Sequence, residues 1–195
     1  NLYRIRGRGA ELRYTTTNNN MRLTIDDQGN ITIGIPTPPS PSPATSDPYE
    51  GLGVQESRAY IYTWVTEYGE ESPPSPAALY NGWSDDEWLV KVTAPDTSVT
   101  TDRRITKVRI YRTVSGEVGD TDYFFVTELD IATLVFIDNI KDVTGNNILD
   151  SLNWTPPPVD MKGMVAMPNG IIAGWTGTEV WFSEPYRPHA WPVQY

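Results

Sequence analysis

Ser57–Thr66 reads SRAYIYTWVT, and this stretch decides the fold. Its side chains alternate. Tyr60, Tyr62 and Trp64 fall on one face, and Ala59, Ile61 and Val65 on the other, with Thr63 between them. A period of two is the signature of an extended strand. A strand that is apolar on both faces is covered on both, which predicts a central place in its sheet. Further extended runs lie to either side. Upstream are Leu2–Arg6, Glu11–Thr16, Met21–Ile25 and Ile31–Ile35. Downstream are Trp88–Val92, Ile105–Val114 (with Val108, Ile110 and Val114 inward), Tyr123–Leu129, Leu134–Ile137, Met161–Met167, Gly170–Gly174 and Glu179–Ser183. No window carries a sustained helical period, and 17 prolines with 15 glycines cut the chain into pieces too short for helices. The expectation is an all-β chain.

Between the runs, the punctuation is equally plain. Asp26-Asp27-Gln28-Gly29-Asn30 is a hairpin signal, with Gly29 free to take positive φ. Its acids lack the alternating ligands and distal glutamate of a calcium loop. PTPPSPSPATSDP (Pro36–Pro48) favours an extended, semi-rigid spacer, a linker or an edge segment before the main domain. A polyproline ligand for a recognition domain lacks the flanking basic residues it would need there. Pro73, Pro74 and Pro76 cannot donate to a neighbouring strand and are expected to protect a sheet edge. Two sheets would bury Ile61, Val65, Val108, Ile110 and Val126 against Trp64 and Phe125.

Composition narrows the function. The net charge of −10 disfavours binding to a phosphate backbone. Arg4, Arg6, Arg8 and Arg13, and again Arg103, Arg104, Lys107, Arg109 and Arg112, form local basic clusters, read as exposed strand faces balanced by nearby acids. Without cysteine there is neither a disulfide nor a thiolate metal site. No apolar run is long enough to span a membrane as a helix. The chain opens on Asn1 and closes on Tyr195 inside an aromatic, proline-rich run, and is expected to be a piece of a longer polypeptide.

Catalytic signatures are sparse. The single histidine, His189, could be drawn into a triad with Ser183 and an aspartate, but no nucleophile elbow precedes it. It reads as a packing residue. The acids Glu67, Glu70, Glu71, Asp85, Asp86 and Glu87 show no fixed pair of the kind a glycosidase needs. Gly7-Arg8-Gly9 and Gly51-Leu52-Gly53 are fragments of no phosphate-binding fingerprint. The expectation is no enzyme, no cofactor and no metal. What remains is aromatic: Trp154, Trp175, Trp181, Tyr186, Trp191 and Tyr195 stand among prolines and glycines. Large amphipathic rings on stiff strands and turns suit a protein–protein contact, and Trp175, Trp181, Tyr186, His189 and Trp191 are the candidate interface residues.

Three stretches carry a family resemblance. RAYIYTWVTEYGEESPPSPA (Arg58–Ala77) resembles the late strands of a fibronectin type III-like module, and KVRIYRTVSG with YFFVTEL and TLVFIDNI (Lys107–Ile140) resembles its middle strands. Taken with Pro156–Tyr195, the order resembles virion proteins of tailed bacteriophages and prophages of the tail tubular, nozzle-like or neck type. FSEPYRPHAWP (Phe182–Pro192) is the most specific part and YGEESPPSP (Tyr68–Pro76) the next. The resemblance covers about residues 31–195. The chain divides into four regions: an N-terminal β segment (1–35) and a proline-rich linker (36–50), read from the extended runs and the prolines, then, as the resemblance implies, a fibronectin type III/immunoglobulin-like β-sandwich (51–155) and a Pro/Trp-rich β segment (156–195) at the start of a further, β-propeller-like domain. The resemblance also implies a structural role in the virion tail or neck. The partners would be copies of the chain in a ring-shaped homo-oligomer and neighbouring virion proteins, with DNA passing through the assembly, no sequence-specific nucleic-acid binding and no membrane. The alternative class is a carbohydrate-binding or host-adhesion module, which would hold its tryptophans in a shallow open groove.

Overall fold

The strand around Tyr60 and Trp64 forms as its alternation requires. It runs from Gln55 to Thr66 and is flanked on both sides. The computed structural model describes residues 11–15, 20–25, 31–33, 35–45, 53–97, 100, 103–114, 122–155, 157–158, 160–187 and 189–192. In chain order the strands are β1 (Glu11–Thr15), β2 (Asn20–Ile25), β3 (Ile31–Ile33), β4 (Ser42–Thr45), β5 (Gln55–Thr66), β6 (Ala78–Trp83), β7 (Trp88–Lys91), β8 (Ile105–Arg112), β9 (Phe124–Asp130), β10 (Val135–Asp138), β11 (Gly163–Ala166), β12 (Ile172–Thr176) and β13 (Glu179–Phe182). The chain is all-β, with every strand pairing antiparallel. The expected strand at residues 2–6, the turn at 26–30, the glycines at 7, 9, 51 and the arginines at 4, 6 and 8 lie outside the described residues.

Two compact units emerge. One holds Asn1–Pro36, Tyr68–Pro73 and Asn153–Tyr195; the other holds Thr37–Glu67 and Pro74–Leu152. The second contains a four-stranded sheet in the order β6-β5-β8-β9 and a three-stranded sheet in the order β10-β7-β4, an arrangement consistent with a β-sandwich. In the first, β1-β2-β3 and β11-β12-β13 are two three-stranded antiparallel sheets.

The pairing of β5 with β8 fixes which side chains share a face. Tyr60 lies opposite Arg112, Tyr62 opposite Ile110 and Trp64 opposite Val108. These six line the interior. Trp88 of β7 meets them from the other sheet, fully buried, with its ring 6.4 Å from that of Tyr60 and 6.1 Å from that of Tyr80. The interior is therefore more aromatic than expected. Ile61 points the other way, into a small cluster with Tyr111 and Leu149 that Tyr123 and Phe125 complete. Residues 147–149 reach this cluster by pairing with the outer edge of β9, where the Phe125 amide donates to the Asn147 carbonyl at 2.8 Å and the Leu149 amide to the Tyr123 carbonyl at 2.9 Å. That cover explains why β5 is apolar on both faces.

Polar contacts cross the sandwich at Thr93, just past β7, whose carbonyl accepts from the Trp64 indole at 3.1 Å, and at a buried charge cluster around Asp138. The Asp138 side chain at the end of β10 is fully buried. Its Oδ2 accepts from the Tyr60 hydroxyl at 2.8 Å and pairs with Arg112 Nε at 2.8 Å and with Arg58 at 3.7 Å. Its Oδ1 accepts from the Ile140 amide at 3.0 Å. Arg58 also bonds Glu56 at 2.9 Å and lies 4.4 Å over the Trp88 ring. Burial, aided by the Asp138 charge, raises the Tyr60 phenol above its ordinary pKa, so it stays a donor. Burial pulls Arg112 down and Asp138 opposes that fall. The expectation of exposed arginines thus fails at Arg112, whose place opposite Tyr60 turns it inward. It holds at Lys107 and Arg109, which share Glu128 on the outer face, and at Arg104, which pairs with Glu67.

Two strands carry no strand pattern of their own. β4 lies inside the proline-rich stretch expected as a linker or an edge segment and pairs with β7, Pro43 opposite Val90. Proline is tolerated there because β4 is an edge strand. β6 contains Asn81-Gly82, a turn-like pair, yet pairs with β5 from Gln55 to Tyr60. Beyond Tyr60 the edge of β5 is met by Ser75, whose amide donates to the Tyr62 carbonyl at 2.9 Å and whose hydroxyl accepts from the Tyr62 amide at 3.1 Å.

Candidate functional site

The sequence MPNG builds the first corner of the β11–β13 sheet. The Gly170 amide donates to the Met167 carbonyl at 3.1 Å, and the Met167 amide to the Ile171 carbonyl at 2.8 Å. Gly170 has φ +78°, closing a three-residue loop with a left-handed final residue. Proline suits the second position of such a turn, and the Asn169 side chain caps the Ile171 amide at 3.3 Å.

The register of this sheet sorts its side chains. Gly163 lies opposite Trp175, Trp175 opposite Val180, Val165 opposite Ala173, and Ala173 opposite Phe182. These share one face. Ile172, Gly174, Thr176 and Trp181 share the other, where Met161 packs so closely on Gly174 that an added Cβ would lie 2.4 Å from its sulfur. That second face is covered: Ile172, Gly174 and Thr176 are buried. The first is largely open. Val165 is 55% exposed, Trp175 47% and Val180 59%, and no charged residue stands between them. The Trp175 ring lies across Gly163, 2.1 Å from where a Cβ would be. An aromatic covering a cross-strand glycine shields its backbone and holds the ring in place.

The five candidate residues separate. Trp175 belongs to the open face. Tyr186, 74% exposed with φ +58°, rests its ring on Gly170. A bulky residue in the left-handed region is strained by an amount on the order of 1–3 kcal/mol. The Tyr186 amide bond to the Gly170 carbonyl, at 2.9 Å, helps hold it there. Trp181 is half-buried on the opposite face. Trp191 is fully buried, its amide donating to the Thr155 carbonyl at 3.0 Å, so it is a core residue of its own unit and presents nothing to a partner. His189 is largely covered. Its ring meets Trp154 edge-on at 5.6 Å, and its Nδ1 is buried with no hydrogen-bond partner among the described residues. Burial, seconded by the Arg187 charge, lowers the imidazole to about 4. Val165 and Val180 were missed. Their signal was register, since neither stands out until Trp175 is known to lie beside them.

Candidate catalytic groups have other duties. The Ser183 hydroxyl accepts from the Ile172 amide at 2.9 Å and donates to the Glu184 carbonyl at 3.1 Å. Asp85 accepts from the Gly53 amide at 2.8 Å and Asp86 from the Trp83 amide at 3.1 Å, as turn-capping carboxylates do. A cleft of about 210 Å³ beside Arg58 is lined by Ser84, Asp85, Asp86, Glu87 and Asn139, below the usual size of small-molecule sites. Among the described residues no group of three or more acids and histidines is placed to hold a metal ion. Neither protein-family models nor curated proteins give a match to this sequence.

Proposed function

We propose that the chain is a structural part of a tailed-phage virion, set in the tail, nozzle or neck as a ring of copies that also touches neighbouring virion proteins. The reading assigns it no reaction and no cofactor. The observation that carries it is the open face of the β11–β13 sheet, where Val165, Trp175 and Val180 stand together without a charge between them. Contiguous exposed apolar surface on a folded protein marks a place where something binds. A tryptophan flanked by aliphatic side chains is the usual centre of a protein–protein contact. The resemblance at residues 182–192 and 68–76 supplies the kind of assembly. A net charge of −10 suits a wall past which DNA slides without being held.

The second reading, a sugar-binding or adhesion module, draws on the same exposed Trp175 and on Tyr186 as stacking rings. The immediate neighbours of Trp175 are Gly163 and Val180, which offer no side-chain hydrogen bonds to sugar hydroxyls, and this favours a protein partner. Antibody labelling of particles tests the two. Decoration at the tail or neck supports the virion reading. Particles that never take the label, or specific glycan-array binding lost in Trp175→Ala, overturn it.

A further inference from the structure

Trp154 is held from two directions by one short stretch of chain. The Arg187 guanidinium lies 4.7 Å from its ring centroid, and the His189 ring meets it at 5.6 Å with the planes 78° apart. The same segments are tied by backbone. The Trp191 amide donates to the Thr155 carbonyl at 3.0 Å, and the Thr155 hydroxyl donates back to the Trp191 carbonyl. Trp191 itself is buried. The arrangement fits only a neutral imidazole. Nδ1 is buried without a partner, so a proton placed there would be an N–H with no acceptor. From its own stretch, His189 faces the positive charge of Arg187. From the other segment it faces an uncharged indole, and no carboxylate among the described residues contributes to its charge environment. A second cation beside one indole already engaged by Arg187 is repelled rather than paired.

We propose that the Arg187–Trp154–His189 stack is an acid-operated latch: with His189 neutral it pins residues 187–192 to Trp154 and Thr155, and protonation of His189 releases them. The latch is independent of what the open sheet face binds.

Because the chain has one histidine, its imidazole resonance can be followed in the intact chain without ambiguity, with the tryptophan indole N–H signals read in the same spectra. The expected result is an imidazole that stays neutral down to about pH 4 and a loss of the Trp154 and Trp191 signals in the same step. His189→Phe keeps the ring contact without a titrating nitrogen and should lack the step. Arg187→Leu should move the midpoint upward. Titration at the ordinary 6.5 with the indole signals unchanged overturns the latch, as does an acid step that His189→Phe leaves in place. Should the phenylalanine variant not fold, Arg187→Leu decides: the imidazole midpoint and the loss of the indole signals should rise together, and indole signals lost at an unchanged pH overturn the latch.

Discussion

Replacing Asp138 by alanine should be among the most damaging single changes in the sandwich unit. The carboxylate is fully buried and serves the Tyr60 hydroxyl, the Ile140 amide, Arg112 at 2.8 Å and Arg58 at 3.7 Å. The side chains of Arg112 and Arg58 are only 2% and 4% exposed, so bulk water compensates little for the lost anion. Breaking a buried pair by removing one partner costs about 3–5 kcal/mol. The two orphaned donors add to this, though not additively, since all belong to one network. A loss of about 4–5 kcal/mol is the expectation, a large share of the roughly 5–15 kcal/mol that holds a domain folded. Asp138→Asn keeps the shape and an acceptor for Tyr60 but leaves two guanidinium charges less compensated, and should lose about 3 kcal/mol. Glu128→Ala is the control. It removes a carboxylate bonded to Lys107 and Arg109 on an open sheet face, where pairs are worth about 0–1 kcal/mol. Urea unfolding of the three variants, with equal slopes, reads these differences directly. If Asp138→Ala loses no more than Glu128→Ala, the cluster does not hold the two sheets together and the reasoning fails.

Gly163→Ala should force the Trp175 ring from its place, because the new Cβ would lie 2.1 Å from it. The strand preference alone would make alanine the better residue by roughly 0.5–1 kcal/mol. A loss of about 1–3 kcal/mol, with tryptophan emission shifted to the red, is therefore the expected sign, and a stabilised variant with unchanged emission would refute the contact. Glu128, bonded by Lys107 and Arg109, is held below its ordinary 4.5. A group with a depressed folded value contributes stability above the unfolded value and loses it as pH falls through the folded one. Stability of the wild type should thus decline more steeply below pH 4.5 than that of Glu128→Gln, and identical acid profiles would count against the triad.

Much of the sandwich could be read from alternation alone. β5 and β8 declare themselves because β-branched and aromatic residues recur at period two over eight or more positions. β4 and β6 do not. Pro43 and Asn81-Gly82 speak for turns, and the partners β7 and β5 override that local preference. The buried charge cluster had a faint signal in Arg58, the one cation of β5, and none in Arg112, which shares β8 with Lys107 and Arg109. Recognising it required the register that sets Arg112 opposite Tyr60 and brings Asp138 to both. At the candidate site, the aromatic count pointed to the segment that holds the open face but did not sort its rings into exposed and buried. Trp175 and Trp191 look alike in sequence; one is held open across Gly163 and the other is sealed in a core. Composition cannot distinguish a ring that presents from a ring that packs.

In the proposed assembly, another polypeptide covers the open face of the β11–β13 sheet. The most direct test is the native mass of the chain across concentration, wild type beside Val180→Lys. Val180 is 59% exposed and lies opposite Trp175, so the lysine should leave the fold intact while placing a charge at the centre of the contact. The predicted result is a discrete multimer of the 21.9 kDa chain that falls to single chains in the variant. A wild-type chain that stays single at every concentration, or a multimer indifferent to the lysine, would contradict it.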